Sequence, residues 1–167
     1  MHKKLAVVVF ILGVFLALPL PASTVSVLVI ETGRDGENPV KEYSTLWEYG
    51  ILDVFFEAGH IVSNAPIIQT QRKTAKELPD EARPDMEEAK EGGADFFVLA
   101  LLDYKSPDRG GAAGKPDAVS LRLFKISGNK AIYQENVSPG TYPSRDEEVQ
   151  GIKRIARKLV PLVRDDR

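Results

Sequence analysis

The sequence predicts an α/β fold: a three-layer βαβαββα domain with a mixed five-stranded sheet in the order 2-1-3-4-5. Two apolar runs, residues 24–31 and 94–104, are typical of strands that are buried on both faces of a sheet. Helical patterns separate these runs, and residues 118–137 alternate around a turn as a β-hairpin does. Because βαβ crossovers are right-handed, we expect strands 1 and 3 at the centre and strands 4 and 5 as an antiparallel hairpin.

The first strand and the first helix are indicated by periodicity and by end signals. Residues 24–31 begin as an alternating pattern and end wholly apolar. Thr45 and Glu48 fit a capping box, so we expect a helix from there to about residue 58, where Gly59 stops it. A short second strand follows at residues 60–64. The predicted buried stripe of the helix consists of Trp47, Ile51, Val54 and Phe55.

The middle of the chain predicts a second helix and the central strand. Residues 65–83 are polar, have no clear period and are interpreted as irregular. Pro84 suits the first turn of a helix that Gly92 and Gly93 end. The consecutive apolar residues 96–102 then mark the strongest strand of the chain.

The last third of the chain predicts a connector, the hairpin and a terminal helix. Residues 105–117 are a flexible connector by composition. Ser144 and Glu147 form a second capping box, which starts a helix whose apolar stripe extends to Val163, with Pro161 loosening its last turn. We expect the first two helices on opposite faces of the sheet and the last helix over what remains open.

The first 22 residues have the three zones of a secretory signal peptide: a basic start, an apolar run over residues 5–18, and a break that ends at Ala22. A helix over that run is about 21 Å long, which is shorter than the roughly 30 Å hydrocarbon core of a bilayer. We therefore expect cleavage near Ala22 and export to the periplasm or beyond, with residues 23–167 as a single domain. An uncleaved N-terminal membrane anchor is the alternative.

Composition excludes several kinds of chemistry. The chain has no Cys, which excludes disulfides, thiolate metal sites, a cysteine nucleophile and a lipid anchor on cysteine. His60 is the one histidine left after processing, and Gly33 and Gly36 lack the spacing of a phosphate-binding loop. We therefore expect no catalytic residues, metal or cofactor, and no enzyme. The formal net charge of −2 argues against nucleic acid as a partner.

A candidate site follows from the predicted strand order. In open α/β sheets, ligands bind beyond the carboxyl ends of the strands at the point where the strand order reverses, here between strands 1 and 3. Two long polar loops, residues 32–43 and 105–117, lie at that point. The residues predicted to contact a partner or ligand are Arg34, Asp35, Tyr43, Lys105, Asp108 and Arg109.

Three stretches resemble a known group of envelope proteins. They are V-S-V-L-V-I-E after the export signal, F-F-E-A-G-H-I-V at a helix end, and A-K-E-G-G-A-D-F-F-V-L-A-L-L-D-Y before a hairpin with K-I-S-G-N-K-A-I-Y at its turn. The pattern, over residues 25–137, resembles the periplasmic α/β domain shared by the N-terminal domain of TolB, CsgG, FlgO and LpoB. The resemblance implies binding to other envelope proteins without catalysis. Because the chain has no cysteine to lipidate, TolB-like soluble behaviour is expected.

These observations lead to one main hypothesis and two alternatives. The main hypothesis is an exported, non-enzymatic adaptor that binds a protein partner in envelope assembly, secretion or transport. The first alternative is a small-ligand-binding module that uses the crevice at the carboxyl ends of strands 1 and 3, which requires a pocket with converging polar groups. The second is a hydrolase, which requires two carboxylates converging in a cleft. None of the three specifies an oligomeric state.

Overall fold

The computed structural model describes residues 22–33, 39–71, 78–104 and 114–163. These residues form six strands and three α-helices. In chain order the elements are β1 (Thr24–Thr32), α1 (Glu42–Glu57), β2 (Ile61–Asn64), β3 (Ile68–Thr70), α2 (Arg83–Glu91), β4 (Phe96–Asp103), β5 (Ala118–Lys125), β6 (Lys130–Val137) and α3 (Arg145–Ala156). Within these ranges, no helix combines the length and the apolar character that crossing a membrane requires.

The strands form one mixed sheet in the order β2-β1-β4-β5-β6, and β3 also pairs with β1. β1 is parallel to β2, β3 and β4, whereas β4, β5 and β6 are antiparallel neighbours. The five predicted strands keep their relative order, and the predicted hairpin is β5–β6. The structure adds β3, in the stretch interpreted as irregular. Its three residues are too few to show a period, so only its pairing with β1 reveals it.

The side chains of the central strands alternate between two buried faces, which gives the predicted three layers. Val27 and Val29 of β1 pack in the core beneath α1 and α3. Leu28 and Ile30 pack in a second core beneath α2. The first two helices therefore lie on opposite faces of the sheet, as predicted, and α3 shares the layer of α1. The two faces are called the α1 face and the α2 face below.

The start of α1 differs from the predicted capping box. The helix begins at Glu42, with Lys41 as its N-cap residue, so the predicted start at Thr45 is wrong. The backbone N–H of Lys41 donates a hydrogen bond to Oε1 of Glu31 at 2.7 Å. The helix start is therefore held by a side chain at the end of β1, which a local capping pattern does not reveal.

The terminal helix begins as predicted and ends early. Ser144 is its N-cap, and Oγ of Ser144 accepts a hydrogen bond from the backbone N–H of Glu147 at 3.3 Å. The α-helix ends at Ala156, and a 3-10 helix follows at Val160–Leu162, around Pro161. The predicted stripe is thus not one continuous helix, although Val163 at its end is buried.

The G-A-D motif before β4 has a structural role. Gly93 has a φ of +80°, a conformation that favours glycine, and it turns the chain from α2 into β4. The backbone N–H of Thr24 donates to Oδ2 of Asp95 at 2.9 Å, and the backbone N–H of Asp95 donates to the Thr24 carbonyl at 2.9 Å. Asp95 thereby fixes the start of β1 beside the start of β4.

Candidate functional site

Five of the six predicted contact residues lie outside the described residues: Arg34, Asp35, Lys105, Asp108 and Arg109. Tyr43 is described, and it lies in the first turn of α1. The structure places two further features near the carboxyl ends of β1 and β4. One is a groove on the α2 face, and the other is a cluster around Lys115 on the α1 face.

The groove has a volume of about 410 Å³ and is half open to solvent. It lies on the α2 face, over β4, β5 and β6, and it reaches the last residue of β1. Its apolar lining includes Leu101. Its polar lining consists of Thr32, Asp103, Ser120, Arg122, Gln134 and Asn136.

Strand register aligns the polar groups of the groove in rows. Arg122 of β5 is paired with Gln134 of β6, and Ser120 is paired with Asn136. Arg122 is only 5% exposed, and its Nε–H donates a hydrogen bond to Oγ of Ser120 at 3.3 Å. The lining of the groove therefore combines a buried arginine with two exposed amide side chains.

One end of the groove lies at the predicted reversal of strand order. Thr32 and Asp103 are the paired last residues of β1 and β4. Oγ1 of Thr32 is 3.4 Å from Oδ1 of Asp103 and 3.4 Å from the carbonyl oxygen of Leu102, so its hydroxyl can donate to either. The groove thus begins where the strand order predicts, and its described lining extends along the face of the hairpin strands.

Lys115 joins the cluster on the α1 face. Its ammonium forms an ion pair with the Glu148 carboxylate and donates to the carbonyl oxygen of Gly140 at 3.4 Å. The same nitrogen lies 5.4 Å from the ring centroid of Tyr43 and 5.8 Å from that of Tyr142, within the range of a cation–π contact. Lys115 therefore fixes the end of the connector against the starts of α1 and α3.

Tyr43 is part of this packed cluster. Its side chain is 5% exposed, and burial raises the pKa of Tyr43 to about 12, so its hydroxyl stays protonated at neutral pH. The structure therefore places Tyr43 beneath Lys115, at the predicted end of the sheet and away from the groove. Its role in contacting a partner stays a prediction.

Glu31 is a buried acid that the sequence analysis did not single out. It is 0% exposed, and besides its bond from Lys41 it accepts a hydrogen bond from Nε2 of Gln69 at 2.8 Å. The carboxylate lies at the N-terminus of α1, where the helix dipole favours negative charge. The available signal was an acid at the end of an otherwise apolar strand.

The groove residues on the hairpin were also missed, although alternation offered a signal. Ser120 and Arg122 interrupt the apolar positions of β5, and Gln134 and Asn136 occupy the same face of β6. Polar residues in a hairpin usually mark a solvated face, and the sequence does not show which part of that face a helix covers.

The requirements of metal binding and of the hydrolase hypothesis can be compared with the described residues. Within the described ranges, no group of three His, Cys, Asp or Glu side chains could hold a metal ion. The described lining of the groove contains one acid, Asp103, and so does not show the carboxylate pair that the hydrolase hypothesis requires. His60 packs edge-on against Phe55 with ring centroids 5.9 Å apart, and burial lowers its pKa.

Residues 25–159 match a family model described as "Uncharacterised protein". The chain belongs to this family. No curated protein matches it. Among solved structures of similar fold, a PelC dodecamer from Paraburkholderia phytofirmans is 18% identical, with a TM-score of 0.49, over 88% of this chain and 94% of that chain. TolB from Acinetobacter baumannii is 11% identical, with a TM-score of 0.41, over 86% of this chain and 29% of that chain.

A third similar structure is the LpoB C-terminal domain from Salmonella enterica. It is 10% identical, with a TM-score of 0.37, over 75% of this chain and 87% of that chain. Two of the proteins named in the sequence resemblance, TolB and LpoB, are thus among the structures of similar fold. The resemblance to CsgG and FlgO stays a prediction.

Proposed function

We propose that this chain is an exported, non-enzymatic module of the cell envelope that binds a protein partner through the groove on the α2 face. The half-open shape of the groove carries the proposal. A small-molecule pocket surrounds most of its ligand, whereas a half-open groove leaves one side of its occupant exposed. Such an occupant can be part of a larger molecule. The zones of a signal peptide in the first 22 residues support the exported location.

The chemistry of the lining supports binding. Gln134 and Asn136 each offer a donor and an acceptor, and both are exposed. These groups suit a polar contact that forms and dissociates in water.

A second candidate function uses the same groove. Its volume of about 410 Å³ falls within the range of small-ligand pockets, and polar side chains converge there from four strands. These features favour the alternative of a small-ligand-binding module. A ligand retained through purification and detected by native mass spectrometry would support this alternative.

Cross-linking in cells distinguishes a protein partner. A photoreactive amino acid replaces Gln134 or Asn136 in the groove, and the control position is the exposed Gln150 of α3, on the opposite face of the sheet. We expect discrete adducts from the two groove positions and none of the same mass from the control. Equal adduct patterns from both faces, or no adduct from the groove, would contradict the proposal.

A further inference from the structure

The predicted cleavage point of the leader, residues 1–22, lies directly against the sheet. Ala22 is exposed, whereas Ser23, the next residue, is only 1% exposed. The backbone N–H of Ile61 donates a hydrogen bond to the carbonyl oxygen of Ser23 at 3.1 Å. Thr24, the following residue, is the first residue of β1. No spacer therefore separates the bond between Ala22 and Ser23 from the paired part of the chain.

The neighbouring strands hold this part of the chain from both sides. Thr24 is paired with Ile61 of β2. On the other side, the backbone N–H of Thr24 donates to Oδ2 of Asp95 at 2.9 Å, and the backbone N–H of Asp95 donates to the Thr24 carbonyl at 2.9 Å. With the bond from Ile61 to Ser23, three hydrogen bonds must break before Ser23 and Thr24 leave the sheet.

These hydrogen bonds restrict access to the cleavage point. A protease must bind the residues on both sides of the bond that it cuts, so a bond next to paired residues is cut only after those residues open. Each hydrogen bond shifts the opening equilibrium by about fivefold or more. We therefore expect that about one folded chain in a hundred is open at this point.

We infer that the folded domain protects its own processing site, so that the leader is removed only before β1 pairs with β2 and β4. Cleavage is a hydrolysis that adds one water across the peptide bond, which leaves a carboxylate on Ala22 and an amino group on Ser23. A chain that folds before this step keeps its leader. The inference rests on the exported location in the proposed function, and it makes the order of folding and cleavage decide between the cleaved chain and the uncleaved anchor.

A purified bacterial signal peptidase tests this on the folded full-length chain, which is made by cell-free synthesis in detergent. Intact mass spectrometry measures the fraction that is cut after Ala22 over time. The comparison is a variant with Gly-Ser-Gly-Ser inserted between Ser23 and Thr24, which keeps the bond and moves it about 13 Å from the sheet. We expect the unaltered chain to be cut about 100-fold more slowly than this spacer variant.

Two further variants distinguish local opening from a general loss of stability. The matched control carries the same insertion after Ser138, in the loop between β6 and α3, and should be cut as slowly as the unaltered chain. Asp95→Ala removes the acceptor of the Thr24 N–H, so we expect cleavage to be about fivefold faster or more. Fluorescence of the buried Trp47 checks that each variant is folded before the peptidase is added.

Two outcomes would overturn the inference. One is equal cleavage rates for the unaltered chain and the spacer variant, which would leave the exported location intact. The other is no cleavage of either chain, which would mean that this bond is not a processing site and would also remove the support for the exported location. The groove is tested separately by the cross-linking at Gln134.

Discussion

Replacing Glu31 by alanine should destabilise the domain strongly. The carboxylate is fully buried and accepts hydrogen bonds from the backbone of Lys41 at 2.7 Å and from the side chain of Gln69 at 2.8 Å. Each hydrogen bond to a charged group contributes about 1.5–3 kcal/mol, and removing the acceptor leaves the donors unsatisfied. We expect Glu31→Ala to lower the free energy of unfolding by about 3–5 kcal/mol, a large fraction of a total of about 5–15 kcal/mol.

Two further variants distinguish the hydrogen bond that Glu31 accepts from Lys41 from the charge of Glu31 and from the loss of any nearby acid. Glu31→Gln keeps an oxygen for the Lys41 N–H, so we expect a loss of about 1–2 kcal/mol. Glu42→Ala is the control. Glu42 is the first residue of the helix that Glu31 holds, but it is exposed and forms an exposed ion pair with Arg145. Such pairs contribute less than about 1 kcal/mol.

Urea unfolding of the purified protein measures all three values. Trp47, the one tryptophan of the sequence, is 1% exposed in α1, so its fluorescence reports the packing of the helix that Glu31 holds. Circular dichroism checks that unfolding stays two-state. If Glu31→Ala costs no more than Glu42→Ala, the account of how α1 is held at β1 is wrong.

Three other predictions concern the contact between α1 and α3, the pKa values of two tyrosines and the first 22 residues. Gly50→Ala should cost about 1–3 kcal/mol in urea unfolding, because its Cβ would lie 2.7 Å from Cγ2 of Ile152 where α1 crosses α3; no loss would mean that the helices separate freely. Burial raises the pKa of Tyr43 and Tyr133 to about 12, so the folded chain binds more protons than the unfolded one between pH 10 and 12. The free energy of unfolding should therefore fall as pH rises above about 10, and Tyr133→Phe should reduce that fall. A urea midpoint that does not change as pH rises above about 10 would contradict this prediction. The intact mass of the protein isolated from cells should correspond to a chain that begins after Ala22. An intact Met1 in a membrane fraction would indicate an uncleaved anchor.

The centre of the sheet could be predicted because burial on both faces leaves a direct mark on sequence. β1 and β4 are apolar at consecutive positions, and right-handed crossovers then order the strands around them. The start of α1 could not be predicted, because its N-cap residue, Lys41, is held by Glu31, which lies ten residues earlier in β1. Local sequence signals describe local contacts. The capping box therefore predicts the start of α3 at Ser144 correctly, whereas the one at Thr45 does not predict the start of α1.

One end of the groove lies at the predicted reversal of strand order, whereas the six predicted contact residues stay a prediction. The reversal of strand order indicates the end of the sheet where Thr32 and Asp103 meet. The lining also requires Arg122 and Gln134, which the sequence presents only as polar positions of a hairpin. Whether such positions are solvated or form a groove depends on the neighbouring layer, and that is a property of the tertiary structure.

The helix α2 is shorter than the central strand on which it packs. A nine-residue helix is about 14 Å long, whereas an eight-residue strand such as β4 is about 27 Å long, so α2 alone extends along about half the length of β4. The side chains that β4 and β5 place on this face change from apolar to polar along the strands. Phe97 and Phe124 are paired in the core beneath α2 and are buried, whereas Asp103 and Ser120 lie nearer the other end of the strand pair and line the groove. Among the described residues, the groove therefore coincides with the polar ends of β4 and β5, beyond the pair of phenylalanines that pack in the core beneath α2.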